Sequence, residues 1–332
     1  MLVGKAGPAL AAADIVALIQ DDLRLVEEEI RMASEAPVQV ITAIGRHLHA
    51  GGGKRLRPML VLLSSRLVGT GGLRAIRLAA VVELIHTATL VHDDVIDGAS
   101  TRRGRPAPNV KWGNQTSVLA GDWIYMKGFQ IALREADNRM LDLLIRVTQL
   151  MVEGELIQLE RLGSLEVSEA DYMDLVSRKT AALFSACARL GAACAGGNER
   201  VEQHLGEYAW NLGMAFQLVD DVLDFIADEE ILGKPVGSDL REGKLTLPLI
   251  YALEEAGPEA RRLIASVLED RGYQRVPFET VLKLAQSGGI QRARRRAEQF
   301  AEAARGLISN FPDSPYQRAL HALTELVVER EY

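Results

Sequence analysis

An all-α fold is predicted by three features of this 332-residue chain. Apolar residues recur at i, i+3, i+4 and i+7 through nearly every segment. The background is rich in Ala, Leu, Arg and Glu, which suit helices, and the alternating β-branched runs that mark strands are missing. In chain order the pattern predicts helices over about 13–34, 36–50, 58–69 and 73–97, then about 114–135, 138–162, 168–196 and 199–229. It closes with helices over about 244–256, 258–271, 276–286, 289–309 and 314–330. Breakers separate them: Gly51-Gly52-Gly53 with Pro58, then Gly69 to Gly72, Gly104 to Pro108, Gly196-Gly197 and Gly233 to Gly243. Ser168 followed by Asp171 reads as a capping pair that opens the 168–196 helix. All the breaks are short and no flexible linker divides the chain, so residues 1–332 are expected to form one domain.

Composition narrows the function classes. With 38 Lys and Arg against 45 Asp and Glu the net charge is −7, which argues against non-specific nucleic-acid binding and leaves room only for a local cationic site. Cys187 and Cys194 stand two helical turns apart, about 10 Å, too far to bond. They read as small core residues in a reduced compartment. The N-terminus has one lysine and an apolar stretch broken by Pro8 and Asp14, a poor signal peptide. No run of about 18 apolar residues is found, so no membrane span is expected and a cytoplasmic location is.

One motif recurs. HDDVID carries Asp93, Asp94 and Asp97 near the end of one apolar helix, and LVDDVLDF carries Asp220, Asp221 and Asp224 near the end of another. Positions i and i+4 share a helix face, so Asp93 pairs with Asp97 and Asp220 with Asp224, each pair a two-carboxylate claw. Acidic residues on helices usually sit on a solvated face. Here, however, each cluster follows a strongly apolar stretch, Leu84 to Val91 and Leu212 to Val219, and the spacing is repeated. Six carboxylates in one cavity would repel or take up protons unless cations neutralised them. Mg²⁺ answers that need, since it takes a few carboxylates and keeps other positions for water and phosphate oxygens.

Three turn-like places supply cations for phosphate. GGGKRLRP presents Lys54, Arg55 and Arg57 where Pro58 opens a helix; STRRGRP presents Arg102 and Arg103; GKPVGSDLREGK presents Lys234 and Lys244. A basic trio alone is usually a solvated loop, and the run from Arg292 to Arg296 fits that reading. Acidic claws beside basic loops describe an enzyme that binds diphosphates through metal bridges and turns one into a leaving group. An allylic substrate would then leave a carbocation.

GGGKRLRP, DDVID, RRG, EGELIQ, RKT, FQLVDD and GKPVGSDLREGK, in this order from about Gly51 to Leu249, resemble the trans-type polyprenyl diphosphate synthases, which include farnesyl, geranylgeranyl and octaprenyl diphosphate synthases. The resemblance implies a single large helical bundle, the isoprenoid synthase fold, around a deep central cavity with the claws facing across its mouth. It implies that Asp93, Asp97 and Asp220 bind Mg²⁺ directly, assisted by Asp94, Asp221 and Asp224. Allylic diphosphate would be held with Arg102, Lys179, Lys234 and Lys244, and isopentenyl diphosphate with Lys54, Arg57, His86 and Arg103. Thr180 and Gln217 would present oxygens to the cationic carbon. Glu153, Glu155 and Gln158 match the EGExxQ stretch of a cavity-lining helix, with no chemical step assigned. The resemblance also implies a homodimer through helices in the middle of the chain, and at most peripheral membrane contact. The acidic end, Glu329 to Tyr332, departs from the basic tails of some relatives.

Product length is expected to be read on the helix before the first claw. One turn upstream, about 5.4 Å deeper, stand Ala88 and Thr89, and Ile85 lies a turn further. Small side chains at this level, with HTATLVHDD, resemble the octaprenyl and solanesyl group, so a product of seven or more isoprene units is expected, octaprenyl first. Ala88 and its neighbours equally suit ordinary helix packing. Alternatives are a short-chain farnesyl or geranylgeranyl diphosphate synthase, a terpene cyclase or squalene-type synthase, and a non-catalytic partner subunit. Lys54, Arg57 and Arg103 argue against the cyclase, and two intact claws against the subunit.

Overall fold

The computed structural model describes residues 10–135, 137–227 and 236–329. The first predicted helix is two, α1 (Ala12–Ala17) and α2 (Gln20–Ala33), with the break at Leu18 and Ile19. Then come α3 (Gln39–Ala50), α4 (Leu56–Val68) and α5 (Gly72–Ile96). A two-residue hairpin pairs β1 (Thr101–Arg102) with β2 (Arg105–Pro106). Its turn residues Arg103 and Gly104 both have positive φ, 51° and 70°, as a tight hairpin turn requires. Next are α6 (Pro108–Trp112), α7 (Asn114–Arg134), α8 (Asn138–Arg161) and α9 (Glu169–Val176). Ser168 and Asp171 cap α9 reciprocally.

The predicted 168–196 helix is one rod with a π-turn at Ser177–Ala181 before α10 (Ala182–Cys194). The longest element, α11 (Glu199–Ile226), precedes α12 (Ser238–Arg241), α13 (Leu247–Glu255), α14 (Pro258–Asp270) and α15 (Phe278–Leu284). A second π-turn, Ala285–Gly289, leads into α16 (Ile290–Ile308), and α17 (Pro315–Val328) closes the chain. Residues 244–246, expected in a helix, are a loop: Pro248 lies in the first turn of α13, and Gly243 is left-handed at φ 88°.

Two apolar clusters organise the bundle. One gathers α2, α4, α5, α7, α8, α10, the first half of α11 and α17; the other gathers α9, the second half of α11, α13, α14 and α15. α11 runs through both, so its C-terminal end carries the second aspartate motif out of a fully apolar environment. α5 does the same for the first. From Leu78 to Val82 every α5 residue is completely buried, and such a residue truncated from Leu to Ala costs about 2–5 kcal/mol. Among the described residues α5 is long and apolar enough to cross a membrane, but 67% of its most apolar window is inside the protein, which marks a core helix.

Candidate active site

α5, α7, α8, the π-turn and α11 enclose a cavity of about 1420 Å³ that opens between the two aspartate motifs. Asp93 and Asp220 both line it. The i and i+4 pairing anticipated from the sequence holds only in part. Asp97 caps α5, its N–H bonded to the Asp93 carbonyl at 2.8 Å, and its carboxylate accepts from Lys244 at 3.0 Å. Asp224 is turned the other way. It is 1% exposed, accepts from the Ser238 hydroxyl at 2.8 Å and from the Asp239 amide at 3.2 Å, and so ties α11 to the start of α12.

Asp94 and Asp221 are also buried and engaged by the protein. Arg102 Nε donates to Asp94 at 2.6 Å. Asp221 accepts from the Tyr172 hydroxyl and, at 2.9 Å, from Gln217 Nε2. That last bond orients the amide: Gln217 Oε1 faces Thr180, whose hydroxyl donates to it at 2.9 Å. Thr180 and Gln217 therefore meet on the cavity wall, held from behind by Tyr172 and Asp221.

Among the described residues no three His, Cys, Asp or Glu side chains converge into a ready-made metal cage. A divalent ion that borrows substrate oxygens needs no such cage. The donor set fits one. Burial, with Glu155 and Asp97 nearby and Lys179 opposing them, raises the Asp93 carboxyl from 3.8 to about 6, the mark of a carboxylate short of positive charge.

The cations gather on both sides of the aspartates. Lys54, Arg57, His86, Arg102, Arg103 and Lys179 line the cavity; Lys244 reaches Asp97 and, at 2.7 Å, Glu242. Lys234 lies outside the described residues. Burial and the guanidiniums of Arg57, Arg103, Arg102 and Arg55 hold the His86 imidazole well below its usual value, so it is neutral at pH 7. Arg57 lies over the Phe184 ring at 5.1 Å.

Lys179 and Thr180 sit on the π-turn, a feature with no signal in the hydrophobic period. The EGExxQ stretch explains how it is held. Gly154 lets α8 approach so closely that a Cβ there would stand 3.1 Å from the Lys179 amide nitrogen. Glu153 pairs with Arg178 at 2.6 Å, and Glu155 with Lys179, which also donates to Gln158 at 3.2 Å. Two further residues escaped the sequence reading. Glu27 and Glu83 grip Arg55 from α2 and α5, and neither belongs to a motif.

Of the residues expected to read product length, only Thr89 lines the cavity. Ile85 and Ala88 are fully buried, and Ile85 packs on Gly128 of α7 rather than on the cavity. The wall beyond Thr89 comes from Tyr125 and Phe129 on α7 and from Thr148 and Met151 on α8, with the exposed Met126 and Val152 at its outer edge. The two cysteines are free, and burial pushes the Cys187 thiol up to about 12, consistent with an inert core residue.

The polyprenyl synthetase family model matches residues 38–284. The chain is 39% identical to octaprenyl diphosphate synthase of Escherichia coli strain K12 over 315 residues, 95% of this chain and 97% of that one. It is 36% identical to geranylgeranyl diphosphate synthase of Saccharolobus solfataricus over 296 residues, 86% of this chain and 88% of that one. Its structure resembles that of polyprenyl synthase from Caulobacter crescentus, solved with calcium and isoprenyl diphosphate, with a TM-score of 0.94 at 36% identity over 98% of this chain and all of the other. A bundle of this shape, with an aspartate of each motif facing one apolar cavity, agrees with that likeness on every level, and the chain belongs to the polyprenyl synthetase family as a trans-prenyl diphosphate synthase.

Proposed function

We propose that the enzyme joins isopentenyl diphosphate to an allylic diphosphate of the farnesyl or geranylgeranyl type and extends it to a long all-trans polyprenyl diphosphate, octaprenyl in length, with Mg²⁺ as its metal. The observation that carries this reading is the cavity itself. It is polar and charged where Asp93, Asp220, Arg57 and Lys179 meet, and apolar where Phe129 and Met151 lie. At about 1420 Å³ it exceeds the roughly 300–1,000 Å³ of an ordinary small-ligand pocket.

Asp93, Asp97 and Asp220 are the residues that would hold Mg²⁺, with Asp94, Asp221 and Asp224 fixing the helix ends behind them. Bound Mg²⁺ supplies neutralisation of the charge that develops on the departing diphosphate. Arg102, Lys179 and Lys244 are assigned to the allylic diphosphate, together with Lys234. Lys54, Arg57, Arg103 and neutral His86 are assigned to isopentenyl diphosphate. The allylic C–O bond breaks with its electron pair going to diphosphate. The Thr180 hydroxyl and the Gln217 carbonyl oxygen face the resulting carbon cation, and the isopentenyl double bond attacks it to form the new C–C bond. A proton then leaves for an oxygen of the released diphosphate.

The exposed apolar side chains Leu119, Met126 and Leu133 on α7, and Ile145, Val152 and Leu159 on α8, recur every seventh residue. These stripes support a homodimer through the middle of the chain. A cytoplasmic location and at most peripheral membrane contact complete the reading. Geranylgeranyl length is the second reading, supported by the similar identity to short-chain relatives and by the aromatic Phe129 in the wall. Chromatography of dephosphorylated products from labelled isopentenyl diphosphate, with primers of several lengths, decides between them. Products of seven or more units uphold the long-chain reading, and a stop at four overturns it.

A further inference from the structure

Glu83 presents a contradiction. It is a carboxylate, 4% exposed, on the wall of a cavity assigned to two anionic substrates. Its partner is Arg55, whose Nη1 donates to it at 2.9 Å, while Nε and Nη2 of the same guanidinium donate to Glu27 at 2.5 and 3.2 Å. Arg55 stands at the start of α4 with a left-handed backbone, φ 50° and ψ 32°, which a residue with a side chain adopts only when its surroundings hold it there. The residues on either side are Lys54 and, one further on, Arg57, and both line the cavity. Two more guanidiniums, Arg57 and Arg103, feel the same carboxylate. Arg103 lies against Gly53 of the same loop, where a Cβ would stand 2.8 Å from its guanidinium.

We infer that Glu83 is a positioning residue for the isopentenyl diphosphate site: with Glu27 it clamps Arg55, and the clamp fixes the turn that aims Lys54 and Arg57 into the cavity. The inference rests on the proposed assignment of Lys54, Arg57 and Arg103 to that substrate. It predicts the sign of an effect that simple electrostatics predicts the other way. If Glu83 were only a negative charge in an anion site, removing the charge would tighten binding. If it is an anchor, removing the charge loosens the turn and weakens binding.

The test is steady-state kinetics of the full chain with Mg²⁺, in which KM is measured separately for isopentenyl diphosphate and for the allylic primer. The variants are Glu83→Gln, Arg55→Gln, the double variant and Arg57→Gln, each with its melting temperature. Glu83→Gln is expected to raise the isopentenyl diphosphate KM roughly tenfold or more, with the primer KM within about twofold. The double variant should be no worse than Arg55→Gln alone, since both remove one clamp. An isopentenyl KM that falls or stays unchanged in Glu83→Gln, while Arg57→Gln raises it, overturns the positioning role and leaves the site assignment standing. If Arg57→Gln leaves that KM unchanged as well, the assignment itself fails and takes this inference with it. Should Glu83→Gln not fold, Glu27→Gln on the more exposed arm of the clamp takes its place, with the same rise expected and the same unchanged value overturning the role.

Discussion

Lys244 donates to Asp97 at 3.0 Å, joining positions 147 residues apart in the chain. The loop after the second aspartate motif thus closes on the first, and one ammonium serves a carboxylate of the first motif. Burial works against the charged ammonium, but Glu242 and Asp97 outweigh it and raise its pKa. If a divalent ion neutralised Asp97, as proposed, the same ammonium would be free for a diphosphate oxygen.

Lys244→Gln is accordingly expected to weaken primer binding. A hydrogen bond to a charged group contributes about 1.5–3 kcal/mol, so the primer KM should rise roughly 10- to 150-fold, with isopentenyl diphosphate little affected. Initial rates against each substrate in turn check this. An unchanged primer KM removes Lys244 from the allylic site.

In the metal-free protein Asp93 should contribute stability that is lost as pH rises through the range in which it titrates. Its carboxyl is raised to about 6 in the folded state against 3.8 in the reference, so between these values the folded chain keeps a proton that the unfolded chain has released. The Asp93 contribution to stability is then greatest below about 4, falls as pH climbs to 6, and is lost above it. A bound divalent ion takes the proton's place, so the melting temperature gained on adding Mg²⁺ should be larger at pH 7.5 than at pH 5. Thermal melts in chelator and in Mg²⁺ measure both slopes. Asp93→Asn should abolish the pH step in chelator and most of the Mg²⁺ gain, and a pH-independent Mg²⁺ gain refutes the account.

How far the sequence exposed this site depends on the kind of signal. The aspartates were legible because a four-residue spacing on an apolar helix has one geometric meaning, and Asp93 and Asp220 do line one cavity. Asp224 shares that spacing yet bonds Ser238, because the turn beginning at Gly237 with φ 65° brings α12 beneath it. No local pattern encodes where a returning loop lands. The π-turn at Lys179 inserts a residue without changing composition, and helix periodicity over 168–196 passes across it unbroken. Arg55 looked like one more basic loop residue, since its partners Glu27 and Glu83 come from two distant helices. That Ile85 and Ala88 do not line the cavity was hidden for a related reason. Ile85 packs on Gly128 of α7 and Ala88 is fully buried, and the direction in which a helical residue faces is set by tertiary packing.

Gly154 carries a prediction about catalysis rather than binding. A methyl group there would meet the Lys179 amide nitrogen at 3.1 Å, Arg178 Cβ at 3.2 Å and Lys179 Cβ at 3.3 Å, so α8 and the π-turn must separate by a few tenths of an ångström. Overpacking of this kind costs about 1–3 kcal/mol of stability. Because the displaced turn carries Lys179 and Thr180, turnover should fall as well, by less than the roughly 100-fold that a misplacement of about an ångström costs. Gly154→Ala is therefore expected to stay folded at 25 °C and to lose kcat. A folded variant with wild-type kcat separates the π-turn from the chemistry.

Product length is expected to answer to α7 and α8. α5 and α7 run antiparallel: His92 meets Gly121 near the aspartates, and Ile85 meets Gly128 two turns deeper. Phe129 therefore lies at the inner end of the α7 wall, and Thr148, two turns of α8 before the Glu155 that pairs with Lys179, lies at a matching depth. Phe129→Ala opens that end and should shift the product distribution to longer chains. Thr148→Phe plugs it and should shorten them, as should Thr89→Phe from the α5 side. Ala88→Ser, buried against the core and off the cavity, is the control and should leave product length alone. Separating dephosphorylated products of the four variants checks all these outcomes together. Shorter products from Ala88→Ser, with none from Thr148→Phe, would return the length determinant to the helix before the first aspartate motif.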